Sequence, residues 1–270
     1  MLGRSLAALS TPERPVVALG RDALDIADRA SVAAALATHR PATLVNAAAM
    51  TDVDGCERDP EAARRANVDG PRTLAEACRD AGTLLVHVST DFVFDGTKRE
   101  PYTIEDAPNP LSVYGRSKLE GEEAVRAVLP GAVVARTSWV FGRGGKNFAS
   151  RLFEYAAKTS VLKGITDMRS IPTFAPDLAA RLVEIVDLGE SGTYHVTGSG
   201  DATWYDVARA ALDVAGRHDV ELLPASVADL GLPAPRPAYS VMRCLRSERL
   251  GLPPLRHWRE ALEEFVHSLS

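Results

Sequence analysis

Short apolar runs rich in β-branched residues alternate with longer stretches of helical period, and this alternation constrains the fold of the 270-residue chain more than any other feature. The runs PVVAL (15–19), ATLVNAA (42–48), TLLVHVS (83–89), AVVART (132–137) and TYHVT (193–197) read as strands. Their nearly unbroken apolar character is that of a parallel sheet covered on both faces. Between them, 31–39, 60–81, 111–129 and 176–188 read as helices. The second has a clear start, because Asp59 can cap it and Pro60 suits the first helical turn. The expected architecture is therefore α/β, a doubly wound parallel sheet of Rossmann type. After about residue 198 Pro and Gly become frequent, as in LLPASVADLGLPAPRPAYS, and helices over 204–216 and 257–268 predict a smaller C-terminal cap.

Composition excludes several classes of function. With 46% hydrophobic and 25% charged residues the chain is that of a globular protein, and a formal charge of −5 gives no reason to expect nucleic acid or an anionic membrane as a partner. Three cysteines lie far apart, with no CxxC or Cys/His spacing, so neither a disulfide scaffold nor a zinc site is expected. His87 and His195 sit inside apolar runs and read as structural. No segment approaches the ~20 apolar residues of a membrane span, and the run after Arg4 is too short for a signal sequence, so a cytoplasmic location is expected.

The chemistry concentrates in three stretches. In Tyr114-Gly-Arg-Ser-Lys118 a phenol and an ammonium are four residues apart, so one helix face carries both. A neighbouring ammonium is expected to lower the tyrosine pKa towards the range of an acid/base catalyst. A tyrosine and lysine at this spacing also occur as plain surface residues, so context matters. One strand ends in Ser89-Thr90-Asp91, at the carboxyl edge where ligands bind in open parallel sheets. Another runs into Asn46-Ala-Ala-Ala49-Met50-Thr51, where small residues either let a flat cofactor approach the backbone or serve helix–strand packing.

These stretches, together with LDIAD, NVDGPRTLAEAC, NPLSVYGRSKLEGE, RTSWVFG, KNFA, IPTFAPDLA, GTYHVTGSG and RPAYSVMRCLRSERLGL, resemble the extended short-chain dehydrogenase/reductases, and within them the dTDP-4-dehydrorhamnose reductase branch, over nearly the whole chain. The resemblance implies Thr90, Tyr114 and Lys118 as a catalytic triad reducing the C4 keto group of a 4-keto-6-deoxysugar. It implies cofactor contacts at Leu2, Gly3, Asp25, Ile26, Ala49, Met50 and Thr51 besides Tyr114 and Lys118, and nucleotide-sugar contacts at Thr90, Asp91, Phe92 and Trp139. It is also compatible with a divalent cation such as Mg and with a homodimer. The implied division is a dinucleotide-binding domain over 1–145 and 175–198, and a substrate-binding cap over 146–174 and 199–270. Gly20-Arg21 lacks the acid that would bind an NAD ribose, and Arg21 could pair with a 2′-phosphate, so NADPH is expected, with NADH the alternative.

Several positions depart from the family. Phe92 stands where a tyrosine is usual, Met50 where an aromatic or histidine is usual, and in TDMRSIPT (166–173) Met168 and Ser170 replace Gln and Gly. Met1-Leu2-Gly3-Arg4 aligns with the end of a GxxGxxG loop, Gly3 being its third glycine. The first strand is thus expected to be missing, with about ten upstream residues absent. A central strand with four or five buried aliphatics is worth roughly 6–15 kcal/mol, as much as the ~5–15 kcal/mol stability of a whole domain. Such a chain is expected to fold poorly and bind dinucleotide weakly. Two further readings therefore stay open: an epimerase or dehydratase of the same superfamily, and a non-catalytic binding subunit like the regulatory subunit of methionine adenosyltransferase, which resembles this branch.

Overall fold

The strongest of these patterns sit where the sequence puts them. In a computed structural model, which describes residues 1–145 and 147–269, Asp59 accepts a hydrogen bond from the Ala62 amide and Pro60 opens the helix that follows. Lys146, within the KNFA stretch, and Ser270 lie outside the described residues.

In chain order the first half contains α1 (Leu2–Ala7), α2 (Arg29–His39), β1 (Thr43–Asn46), α3 (Val53–Arg58), α4 (Pro60–Arg64), α5 (Gly70–Ala81), β2 (Leu84–Thr90), α6 (Val113–Val128) and β3 (Val133–Thr137). The second half contains β4 (Val140–Phe141), α7 (Phe148–Ala156), β5 (Val161–Ile165), β6 (Arg169–Ser170), β7 (Thr173–Phe174), α8 (Ala175–Asp187), β8 (Gly192–His195), β9 (Ala202–Thr203), α9 (Trp204–Val214), β10 (Glu221–Ala225), α10 (Leu245–Arg249) and α11 (Trp258–His267). The main sheet is parallel in the order β1-β2-β3-β8. Successive side chains along a strand point to opposite faces. Val86, Val133, Ala135 and Tyr194 accordingly pack beneath Leu178 and Leu182 of α8 and Leu2 and Leu6 of α1. Leu85, on the opposite face, packs against Val32 and Leu36 of α2, Leu74 and Cys78 of α5 and Val125 of α6. The sheet is thus wound on both sides, as the continuous apolar runs require. A separate core joins α7, α9 and α11 to Phe141 and Phe174, and among the described residues no helix is long and apolar enough to cross a membrane.

One expected strand does not form. Residues 15–19 carry no ladder, and Val17 is 58% exposed while Val16 packs into the α1/α8 cluster. A strand is made by its neighbour's hydrogen bonds as much as by its own propensity, and the outer edge of β1 has no paired strand among the described residues. Gly3 likewise meets no close-packed backbone, for a Cβ built there finds nothing within 4 Å among the described residues. The helical stretch 60–81 also forms with an unanticipated feature, a π-helical turn over Arg65–Asp69 between α4 and α5. Such bulges free a backbone carbonyl and re-aim side chains. Here the bulge carries Asn67, whose carbonyl oxygen lies so close to α6 that a Cβ on Gly121 would come within 2.0 Å of it.

Candidate active site

Three local devices converge at the carboxyl end of β2. Thr90 ends the strand and caps a short 3₁₀ turn, Asp91–Val93, through its hydroxyl, which accepts from the Phe92 amide at 3.2 Å. Ser112 caps α6, accepting from the Gly115 amide at 3.1 Å. Gly115 then lets α6 press onto that 3₁₀ turn, since a Cβ there would lie 2.3 Å from the Phe92 carbonyl oxygen. The glycine between the two motif residues is therefore what brings Tyr114 against Thr90.

Tyr114 is buried in a small cluster with Cys56, Ala63 and Phe92, the last edge-on to its ring at 5.5 Å, with Met50 packed alongside. Its pKa is raised, chiefly by burial; the Thr90 hydroxyl pulls the other way, and the nearby Asp91 charge adds to the rise. This corrects the expectation of a lowered value. The Lys118 ammonium does lie on the same helix face, but Nζ donates to the Val88 carbonyl at 2.8 Å rather than to the phenol. Burial lowers Lys118 to about 8, partly opposed by Glu122 one turn further along. Glu122 is completely buried and is held below its usual range because bidentate hydrogen bonds from Arg136, at 2.9 and 2.8 Å, outweigh the cost of burial. Burial thus keeps the Tyr114 phenol neutral, the protonation state of a proton donor, with Lys118 one turn further along the same helix.

The other anticipated residues fall into two groups. Asp91 is 2% exposed, its carboxylate accepting from Thr90, Ser170 and Ser240. Trp139 is half-buried, with a left-handed backbone (φ 42°) that is strained for a bulky residue, and its indole stacks on Trp204 at 3.7 Å. Ala49 and Met50 are half-buried and Thr51 is exposed beyond β1, leaving the strand end accessible. Arg21, Asp25 and Ile26 lie apart from these, in the segment leading to α2. Arg21 is exposed, Asp25 pairs with Arg65 at 2.6 Å, and Ile26 packs on Gly70 of α5. Leu2 is in the core beneath α8 and Gly3 faces open space. Of the two buried histidines, His87 Nδ1 meets Asn46 and His195 Nδ1 meets the Tyr102 and Arg243 carbonyls, while neither Nε2 has a partner among the described residues. Burial lowers both pKa values, His195 to about 4.

Asn67, Ser240 and Trp204 are not marked by the sequence as parts of this region, and Ser170 is marked only as a departure from the family, not as a partner of Asp91. Asn67 braces the strand-end loop, accepting from the Met50 amide at 2.9 Å and donating to the Met50 carbonyl and to Ser117. A dinucleotide suits the groups present: a phenol and an ammonium carried one turn apart on α6, small accessible residues at the end of β1, and an exposed guanidinium at the turn before α2. Among the described residues no group of three His, Cys, Asp or Glu side chains is placed to hold a metal ion.

Comparison with known proteins shows the family and the fold. The family model described as "RmlD substrate binding domain" matches residues 1–270. A probable dTDP-4,6-dihydroxy-2-methyloxan-3-one 4-ketoreductase of Streptomyces antibioticus is 43% identical over 98% of this chain and 90% of its own length. A dTDP-4-dehydrorhamnose reductase of Streptomyces griseus is 41% identical over 100% of this chain and 91% of its own. Among solved structures, a dTDP-4-dehydrorhamnose reductase of Bacillus anthracis in complex with NADP superposes with a TM-score of 0.95 at 30% identity, covering 99% of this chain and 95% of the other.

Proposed function

The chain belongs to the family of the RmlD substrate binding domain, and on that premise we propose that it reduces the C4 keto group of a dTDP-4-dehydro-6-deoxysugar with NADPH, dTDP-4-dehydrorhamnose or a close relative being the substrate. The observation that carries the reading is the buried Thr90–Tyr114–Lys118 constellation at the carboxyl end of β2. NADPH, when bound, supplies the hydride. Lys118 would hold the nicotinamide ribose, Ala49 to Thr51 would line the cofactor, Leu2 and Gly3 would lie towards its pyrophosphate, Asp25 and Ile26 would meet the adenine side, and Arg21 would pair with the 2′-phosphate. Thr90 donates a hydrogen bond to the substrate carbonyl and fixes its direction. Tyr114, kept protonated by burial, gives its proton to the C4 oxygen as negative charge develops there. The Lys118 ammonium stabilises the phenolate left behind. Trp139, backed by Trp204, offers a flat apolar wall to the nucleotide sugar, and residues 146–174 with 199–270 act as the substrate-binding cap.

Incubation of the chain with NADPH and dTDP-4-keto-6-deoxyglucose or its rhamno epimer, followed by mass analysis of the sugar nucleotide, tests this directly. Formation of the C4-reduced sugar nucleotide is expected. A folded chain that leaves both NADPH and sugar unchanged would sink the ketoreductase reading and favour a binding subunit.

A further inference from the structure

The acid beside Thr90 is held from a distance. Asp91 is 2% exposed, and its Oδ1 accepts from the Thr90 hydroxyl at 3.1 Å. Its Oδ2 accepts from Ser170 at 3.0 Å and also from Ser240. Both serines are themselves buried, at 0% and 2%. They come from adjacent extended segments stitched together by the Ser240 amide on the Arg169 carbonyl and the Arg169 amide on the Ala238 carbonyl, each 2.8 Å. Ser170 also stands where the family resemblance leads one to expect glycine, which would leave Oδ2 with one donor fewer.

A hydroxyl has one proton to give. While Asp91 is ionised, Thr90 spends that proton on Oδ1, its oxygen accepts from the Phe92 amide, and nothing remains to donate towards a substrate carbonyl. In the neutral acid the proton is favoured on Oδ1, because Oδ2 faces two serine hydroxyls, of which Ser170 also lies 3.3 Å from the Ser240 carbonyl. Asp91 then donates to Thr90, and the Thr90 proton is freed to point into the site. We propose that Ser170 and Ser240 make Asp91 a positioning residue, which sets the direction in which Thr90 donates its hydrogen bond. The inference rests on the ketoreductase reading only in its consequence for turnover; the hydrogen-bond linkage stands independently.

Both states of the acid are accessible near neutrality, since burial raises Asp91 to about 6 against the three hydroxyl donors that lower it. Of the groups facing it, Tyr114 on α6 is titratable and feels the Asp91 charge, with the Cys56 thiol of α3 beyond it. Lys118 on α6 is engaged with the Val88 carbonyl. On the segments that carry the serines, Arg169 is turned to Asp201 and Arg243 to Glu248.

The test compares wild type with Ser170→Gly, Ser240→Ala and the conservative Ser170→Thr in the full chain. The Asp91 carboxyl carbon is titrated by NMR, and kcat and KM for NADPH-dependent reduction are followed against pH. Removing one donor to the carboxylate is expected to shift the Asp91 titration upward by about 0.5–1 pH unit. The alkaline fall in kcat should move upward with it, because the neutral acid is the active form, while KM for the sugar changes less than about twofold. Ser170→Thr should restore the wild-type profile. An Asp91 titration that stays put in both donor-deleting variants overturns the proposal, as does a rise in KM with the kcat profile unmoved. A wild type that never turns over would remove the ketoreductase reading alone, and the carboxyl titration would still decide the linkage.

Discussion

The β2–α6 junction and the first 28 residues are built to different standards, although both pack on the same parallel sheet. At the junction Thr90, Lys118 and Glu122 are buried and engaged: Thr90 with Asp91, Lys118 with the Val88 carbonyl, Glu122 with Arg136. In the first 28 residues Val17 and Leu19 are exposed, Gly3 faces open space, and Arg21 lies in an exposed turn. Apolar composition alone does not make a strand. The run at 15–19 is as β-prone as that at 132–137, but only the latter has hydrogen-bonded neighbours on both sides.

This contrast can be broken most severely inside the junction. Glu122→Ala strips the buried Arg136 guanidinium of its bidentate partner, and a loss of about 3–5 kcal/mol is expected by urea denaturation. Gly115→Ala should cost about 1–3 kcal/mol, since the new Cβ meets backbone rather than a mobile side chain. Its kcat should fall further than its midpoint, because α6 must back away from Thr90. A variant as stable and as active as wild type would refute the close approach as the positioning device. Arg21→Ala should leave stability unchanged and weaken NADPH roughly tenfold relative to NADH, the loss of about one charge-assisted hydrogen bond. Val17→Ser belongs at the bottom of the scale, within about 0.5 kcal/mol; a much larger loss would mean that the first 28 residues pack more tightly than their exposure indicates.

What could be read from the sequence follows the range of the interactions. The Asp59/Pro60 helix start is local and was legible, as was the four-residue spacing of Tyr114 and Lys118. The direction of the Tyr114 pKa was not, because burial by Cys56, Phe92 and the Asp91 charge outweighs a lysine that points elsewhere. Ser170 and Ser240 reach Asp91 across 79 and 149 positions of chain, and no local pattern shows that contact, although Ser170 stands out as a departure from the family. Trp204 opens a helix, where an indole looks like ordinary core; only folding sets it on Trp139. Asn67 sat inside a correctly expected helical stretch, yet its role depends on a π turn that periodicity does not reveal.

The buried Tyr114 phenol beside the end of β2 is the proposed proton donor of a C4 ketone reduction. Single-turnover oxidation of NADPH by the chain with a dTDP-4-keto-6-deoxysugar, set beside Tyr114→Phe at matched cofactor saturation, tests it most directly. Removal of a general acid predicts a fall of about 10²–10⁴-fold in the rate with cofactor binding retained. An unchanged rate in Tyr114→Phe would contradict the account.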